Sequence, residues 1–123
     1  MKIYKNSWFN RFADKSGITD NDLVKVIERI ENGKIDADLG GGVIKQRIAR
    51  QGQGRSKGYR AIILVRQKDK GFFVYGFSKS DKDNINKSDE REFKKLAESL
   101  LNMTDKQMRE LLKVGDIYEV IRK

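Results

Sequence analysis

The chain has 123 residues, of which 27 are Lys or Arg and 18 are Asp or Glu, and its formal net charge is +9. It contains no Cys, which excludes disulfides and thiolate metal sites, and no His, which removes the commonest general base and metal ligand. The length predicts one domain, residues 1–123. Because no apolar run reaches membrane-spanning length and no signal h-region is seen, we expect a cytoplasmic protein without a membrane partner.

The N-terminal third predicts a short strand and two helices. Residues 2–6, KIYKN, are compatible with an opening strand. The aromatic residues of 6–17 share one helical face, which is more typical of a core than of a ligand site. Residues 18–33 predict a stronger helix, with Thr19 as N-cap and Asp22 as its capping-box partner.

The middle of the chain predicts an antiparallel meander. Residues 35–42, IDADLGGG, predict a loop whose three consecutive glycines indicate close backbone approach or sharp bending. The stretch 42–50 alternates as a strand does, and the polar loop 51–58 follows it. The apolar run 59–67 predicts a central strand buried on both faces, and 71–79 predicts the next strand after a tight turn.

The C-terminal part predicts two further helices. Residues 88–102 form the first, with Ser88 as its N-cap, and residues 103–115 form the second, with a capping box at Thr104. Residues 116–123 are either a closing strand or a docked tail. The predicted fold class is α+β: two N-terminal helices, a small antiparallel meander and C-terminal helices, with the helices packed on one face of the sheet.

Positive charge is concentrated in the middle of the chain. Eight basic residues and no acidic residue lie within 39–68, so the remaining basic residues are almost balanced by the 18 acidic ones. A focused patch of this kind attracts a polyanion, nucleic acid first of all. The alternative is a merely solvated basic face.

Strand geometry brings several of these cations together. If the three strands pair in order, four basic side chains converge on one surface: Lys45, Arg47, Arg60 and Lys79. On the third strand Lys79 shares its face with three aromatic residues: Phe73, Tyr75 and Phe77. Basic side chains that bind phosphates, next to aromatic rings that stack on bases, are typical of a site for single-stranded nucleic acid. The alternative is that Phe73 and Tyr75 belong wholly to the core. Further contacts to RNA are expected from five residues around this surface: Arg50, Arg55, Lys57, Arg66 and Phe77.

The Gly-rich stretch GQGRSKG, residues 52–58, has the composition of a phosphate-cradling loop. Such loops open a helix, whereas here a strand follows. We therefore interpret it as a flexible basic loop that carries Arg55 and Lys57 to a phosphate backbone.

Metal-dependent chemistry is disfavoured, and no metal ligand set is predicted. Two Asp pairs sit among turn residues, where Asp is common: Asp36 with Asp38 and Asp81 with Asp83. What remains is cleavage of RNA by cations alone, in which the substrate's 2′-hydroxyl attacks the adjacent phosphate. Arginines suit the stabilisation of the phosphorane, and a Lys crowded by other cations is a candidate acid or base.

Two segments of the sequence resemble a known family. VIKQRIARQGQGRSKGYRAIILVR (43–66), followed by FFVYGFSKSDKDNI (72–85), resembles the RelE/ParE superfamily of toxins from type II toxin–antitoxin systems, closest to its RelE/HigB-like branch. The resemblance covers roughly residues 20–90, with its most specific pieces at 58–60 and 77–85. It implies a RelE-like fold and makes the segment of about 103–123 a C-terminal extension of the same domain.

The resemblance also implies an activity. The RelE branch cleaves mRNA in the ribosomal A site without a metal, and its basic residues match Lys45, Arg47 and Arg60. The implied protein is a ribosome-dependent mRNA endonuclease that inhibits translation. Its implied partners are mRNA, the ribosome and a cognate antitoxin, expected to be a helix-turn-helix protein, and no cofactor is expected.

This chain departs from the family pattern at two positions. Ser80 follows Lys79 where RelE has an arginine, and the family's tyrosine falls at about Asn86, so Lys79 is expected to substitute in part. Two alternatives stay open: a ParE-like toxin that inhibits gyrase by protein contact, and a basic nucleic-acid-binding module without activity.

Overall fold

The computed structural model describes residues 1–49, 58–66, 69–78 and 85–122. Within these residues six strands form one sheet, in the order β2-β3-β4-β5-β1-β6. In chain order the elements are β1 Lys2–Asn6, α1 Ser7–Ser16, α2 Asp20–Glu31, β2 Ala37–Gly40, β3 Val43–Ile48, β4 Tyr59–Arg66, β5 Lys70–Ser78, α3 Lys87–Leu101, α4 Asp105–Val114 and β6 Ile117–Val120. No helix of the described segments is long and apolar enough to cross a membrane.

The predicted α+β class is confirmed, and the sheet is larger than expected. Strands β2 to β5 form the antiparallel meander. The opening strand β1 then pairs in parallel with β5, and the closing segment forms β6, antiparallel to β1. The prediction of a loop over 35–42 is wrong in part, because Ala37–Gly40 pairs with β3. The expected sharp bend follows it: Gly40, Gly41 and Gly42 all have positive φ.

Helices cover both faces of the sheet, which corrects the expectation of helices on one face. The first core packs α1 and α2 against residues such as Ile44 and Ile63. The second core packs α3 and α4 against residues such as Val43 and Ile62. The cause lies in β4, where neighbouring residues that point to opposite faces, Ile62 and Ile63, are both fully buried. A strand that is apolar on both sides needs cover on both sides.

A bulge in β5 changes which aromatic residues share a face. Ile62 pairs with Tyr75 and Ile63 pairs with Phe73, so Val74 is an extra residue in the ladder. Phe73 therefore lies in the first core, while Phe77 lies in the second. The predicted common face of Phe73, Tyr75 and Phe77 is wrong for Phe73.

Most helix ends follow the predicted caps. The Thr19–Asp22 box begins α2, and the Thr104 box begins α4. The predicted N-cap Ser88 is wrong, because α3 is capped by Asn86, whose side chain accepts from the Asp89 N–H at 2.8 Å. A reciprocal box needs an acceptor side chain three residues on. Asp89 supplies it for Asn86, whereas Ser88 would face the donor Arg91.

Candidate functional site

Three predicted cations meet on one face of the meander. Arg47 on β3 lies directly opposite Arg60 on β4, and Lys45 lies two residues along β3, opposite Ile62. With Asp36 and Ala37 they line an open groove of about 340 Å³, here called the basic groove. Because β3 and β4 pair without a bulge, the alternation of side chains carries from one strand to the next. The sequence prediction that Lys45, Arg47 and Arg60 converge is therefore matched by their positions.

Arg60 is the most unusual member of the basic groove. Its Nη1 is buried and has no hydrogen-bond partner among the residues that the structure describes. Burial, and after it the charge of Arg47, lowers the pKa of Arg60 from its ordinary value, while Asp36 acts in the opposite sense. An arginine stays protonated at neutral pH, so the result is a cation that lacks an acceptor. Such a group strongly favours an anionic oxygen placed beside it.

Asp36 is the acidic member of the basic groove, and sequence reasoning assigned it only to a turn. Its carboxylate accepts from the Arg47 N–H at 2.8 Å and from Arg29 Nη2 at 2.8 Å, and it lies 3.7 Å from Arg47 Nη2. Burial alone raises the pKa of Asp36, but these hydrogen bonds and the two positive charges outweigh it and hold the pKa below its usual value. The signal available in the sequence is that Asp36 and Asp38 are the last acids before the acid-free stretch.

Arg66 lies apart from the basic groove. It is six residues from Arg60 along β4, which is about 20 Å at the usual rise of a strand. Its Nη1 donates to the carbonyl oxygen of Leu101 at 2.7 Å, at the end of α3. There it lines a second groove of about 560 Å³, here called the helix-end groove, with these residues: Gly41, Val65, Lys94, Ala97, Glu98, Leu101 and Asn102.

Phe77 lies opposite Arg60 on β5, but its ring is buried in the second core and the residue is only 5% exposed. This position supports the strand beneath Arg60 and does not favour stacking on a base. More accessible aromatic side chains lie elsewhere: Trp8 and Tyr118 are both 39% exposed, and Trp8 stacks on Tyr75 with ring centroids 4.6 Å apart. Tyr75 is therefore not wholly a core residue, whereas Phe73 is fully buried.

Several predicted site residues lie outside the described residues. They are the catalytic candidate Lys79 and the RNA-binding candidates Arg50, Arg55 and Lys57. Ser80, at the family's arginine position, lies outside them too. Asn86, about where the resemblance is expected to place the family's tyrosine, is described and caps α3.

Together the fold and the basic groove define a class: a small α+β protein with an open groove in which three cations lie side by side. A model of the family described as RelE toxin of the RelE/RelB toxin–antitoxin system matches residues 1–120. The chain therefore belongs to the RelE toxin family and is the toxin of a toxin–antitoxin system, which implies an antitoxin partner. The resemblance to RelE is confirmed, while the HigB-like branch stays a prediction. A search of curated proteins finds no match.

Proposed function

We propose that this toxin is a metal-independent, ribosome-dependent mRNA endonuclease that stops translation in the cytoplasm. The observation that carries the proposal is Arg60, a half-buried residue whose buried Nη1 has no acceptor among the described residues. It lies beside Lys45 and Arg47 in an open groove, where a phosphate of RNA can reach all three cations. A site that only attracted RNA would not need a half-buried cation held by a strand, because exposed lysines serve that purpose.

The proposed reaction uses the substrate's own nucleophile. The 2′-oxygen of a ribose attacks the adjacent phosphorus and gives its proton to a base. The bond from phosphorus to the 5′-oxygen of the next nucleotide breaks, and that oxygen takes up a proton. The products are a 2′,3′-cyclic phosphate and a 5′-hydroxyl, so neither an oxidant nor a metal is required.

The arginines suit the transition state of this reaction. Negative charge grows on the non-bridging oxygens of the phosphorane, and a guanidinium fixed in advance stabilises it without further rearrangement. For the proton transfers the sequence offers Lys45 and Lys79 as candidates, and Lys79 lies outside the described residues. With no His or Cys in the chain, the proposal relies on cations and on alignment of the substrate.

Dependence on the ribosome is proposed because the toxin offers few catalytic side chains of its own. A short open groove holds a phosphate but does not align the 2′-oxygen, the phosphorus and the leaving oxygen in line. The ribosomal A site holds mRNA in a fixed path, so it can supply the alignment that the toxin lacks. This part of the proposal rests on the family resemblance.

The antitoxin is proposed to be a helix-turn-helix protein that covers the basic groove with an acidic or amphipathic segment. The support is the concentration of charge, since eight basic residues and no acidic one lie within 39–68. A toxin–antitoxin complex that binds ribosomes as tightly as the free toxin does would contradict this arrangement.

Mapping of mRNA 5′ ends after induction tests the function. We expect new ends at codon boundaries within translated messages and none with the Arg60→Ala variant expressed at the same level. Intact message together with DNA damage would instead support a gyrase inhibitor. Growth that continues unchanged in the absence of antitoxin would leave only a binding module.

A further inference from the structure

Strand pairing ends on the outer edge of β3 just before Arg47. Strand β2 pairs with β3 from Gly40 to Ala37, and Ala37 lies opposite Lys45. Beyond that pair two side chains take the place of a strand. The Asp36 carboxylate accepts from the Arg47 N–H at 2.8 Å, and Arg29 Nη1 donates to the Arg47 carbonyl oxygen at 3.4 Å. Both backbone groups of Arg47 therefore have side-chain partners.

The two side chains also hold each other. Arg29 Nη2 donates to Asp36 Oδ1 at 2.8 Å, and the Asp36 side chain is only 22% exposed. Arg29 belongs to α2, so this ion pair ties a helix of the first core to the edge of the basic groove. A charge-assisted hydrogen bond is shorter and stronger than a neutral one, so the pair is held together although the Arg29 side chain is 35% exposed.

A buried amide holds Asp36 in place from behind. The side chain of Gln46 is fully buried, its Oε1 accepts from the Asp36 N–H at 2.6 Å, and its Nε2 donates to the Lys34 carbonyl oxygen at 3.1 Å. A buried amide with both ends satisfied specifies one arrangement of the chain around it. The segment that carries Asp36 is thus attached to β3 next to Arg47.

The same carboxylate offsets a repulsion within the groove. Arg47 and Arg60 are directly opposite each other, and like charges in that position destabilise a sheet. Asp36 Oδ1 lies 3.7 Å from Arg47 Nη2, yet Arg60 Nη1 keeps no partner among the residues described. Asp36 therefore reduces the repulsion between Arg47 and Arg60 and leaves Arg60 Nη1 without a hydrogen bond to any described residue.

We propose that Asp36, together with Arg29, is a positioning pair that fixes Arg47 and keeps the Arg47 and Arg60 cations together before RNA arrives. Its effect on reaction rate rests on the proposed cleavage activity, while its effect on the Arg47 backbone does not. Loss of the acid leaves Arg47 mobile and makes the groove more positive. Rate should therefore fall while affinity for RNA is kept or improved, which a purely structural residue would not produce.

Asp36→Asn is the test variant, and Asp38→Asn is its matched control. Both remove one negative charge at the same edge of the sheet, but the Asp38 carboxylate accepts from the Gly40 N–H and does not line the basic groove. In single-turnover cleavage on programmed ribosomes we expect Asp36→Asn to be about 100-fold slower, with ribosome affinity equal to wild type or tighter. Asp38→Asn should stay within about twofold of wild type. Equal effects of the two variants, or rate and affinity lost together by Asp36→Asn, would overturn the proposal.

Hydrogen exchange tests whether Asp36 fixes the Arg47 backbone, and it does not require the protein to cleave RNA. In Asp36→Ala the Arg47 amide should exchange about tenfold faster than in wild type, while the Ile44 amide is unchanged. Asp38→Ala should leave both amides as they are, and the thermal midpoint checks that each variant folds. If wild type proves not to cleave RNA, the proposed function fails, and this measurement still judges the positioning role. An Arg47 amide equally protected in wild type and Asp36→Ala would refute it.

Discussion

Arg60 and Arg66 lie on the same strand and, by alternation, on the same face, yet their surroundings differ. Arg66 Nη1 donates to the Leu101 carbonyl oxygen at 2.7 Å, so the protein uses its charge. Arg60 Nη1 is buried and lacks a partner within the described segments. The difference separates a cation whose charge the fold uses from one whose Nη1 is bound by no described residue.

The role of Arg66 follows from the sequence of α3. That helix has no basic residue in its last turn, where a cation would favour the partial negative charge of the exposed carbonyls. Arg66 reaches across from β4 and supplies one. The helix-end groove therefore carries positive charge for a structural reason, and a basic surface need not mean a binding site.

The largest effect should come from Arg60. Arg60→Ala should lower cleavage at least about 100-fold and abolish growth arrest, because a preorganised donor to the phosphorane is lost. Its thermal midpoint should not fall, since no partner among the described residues is left unpaired. Arg60→Lys should not restore activity, because a point charge cannot replace the guanidinium fork. Growth arrest and ribosome binding of the three proteins, compared side by side, provide the measurement.

Full toxicity of Arg60→Ala would mean that the basic groove is a docking surface. The comparison with Arg66 would then lose its functional meaning, and the nuclease proposal would give way to a toxin that acts by protein contact.

Arg66→Ala should show the opposite pattern. We expect a loss of about 1 kcal/mol in the free energy of unfolding, because the last carbonyl of α3 loses a charged donor at a partly exposed site. Cleavage by the folded protein should be close to that of wild type. Urea denaturation measures the first quantity and ribosome cleavage the second. A large loss of ribosome affinity without loss of stability would instead place Arg66 on the RNA surface, as the sequence alone predicted.

Low pH should reduce the part of the free energy of unfolding that Asp36 contributes at the β2 edge of the sheet. The pKa of Asp36 is held below its ordinary value of 3.8, so folding favours its charged form. The stabilising effect is therefore present above pH 4 and is lost as pH falls through the lowered pKa. In urea titrations the stability advantage of wild type over Asp36→Asn should be full at pH 7 and should shrink below about pH 4. Other carboxylates titrate in both proteins and cancel in the difference, so an advantage that is independent of pH would contradict the assignment.

The smallest effect is expected from Arg55, which lies outside the described residues. Its place among glycines predicts a loose contact with a phosphate, unlike the strand-held Arg60. Arg55→Ala should weaken ribosome binding and reduce its salt dependence by about one phosphate contact, with growth arrest retained. Ribosome binding over a series of salt concentrations measures the slope. A slope equal to that of wild type would show that Arg55 contacts no phosphate.

The parts that sequence reasoning predicted correctly are those set by local rules. The capping boxes at Thr19 and Thr104 depend on residues three apart, and both are confirmed. The convergence of Lys45, Arg47 and Arg60 depends on alternation across two strands that pair without a bulge. The caps are set by neighbours in sequence, whereas the convergence also requires β3 and β4 to pair in order, which they do.

Most of the parts that were missed depend on distant contacts, and the N-cap of α3, at Asn86 instead of Ser88, is a local exception. The bulge at Val74 moves Phe73 to the other core, and alternation cannot reveal it because the surrounding residues are all apolar. The role of Asp36, and not Asp38, depends on the register of β2 against β3 and on the buried Gln46. Sequence offers no measure of that register.

The position of β1 has a consequence for the order of folding. Among the described strands, residues 2–5 pair with residues 70–73 of β5, and residues 3–6 pair with residues 117–120 of β6. During synthesis β1 therefore has no partner among the described strands until β5 has been made, and its second partner, β6, follows later. Because long sequence separation slows the formation of contacts, these pairs should form late, after the β3–β4 hairpin that carries Arg47 and Arg60. We therefore expect Arg47 and Arg60 to come together while the sheet still lacks its β1 and β6 edge.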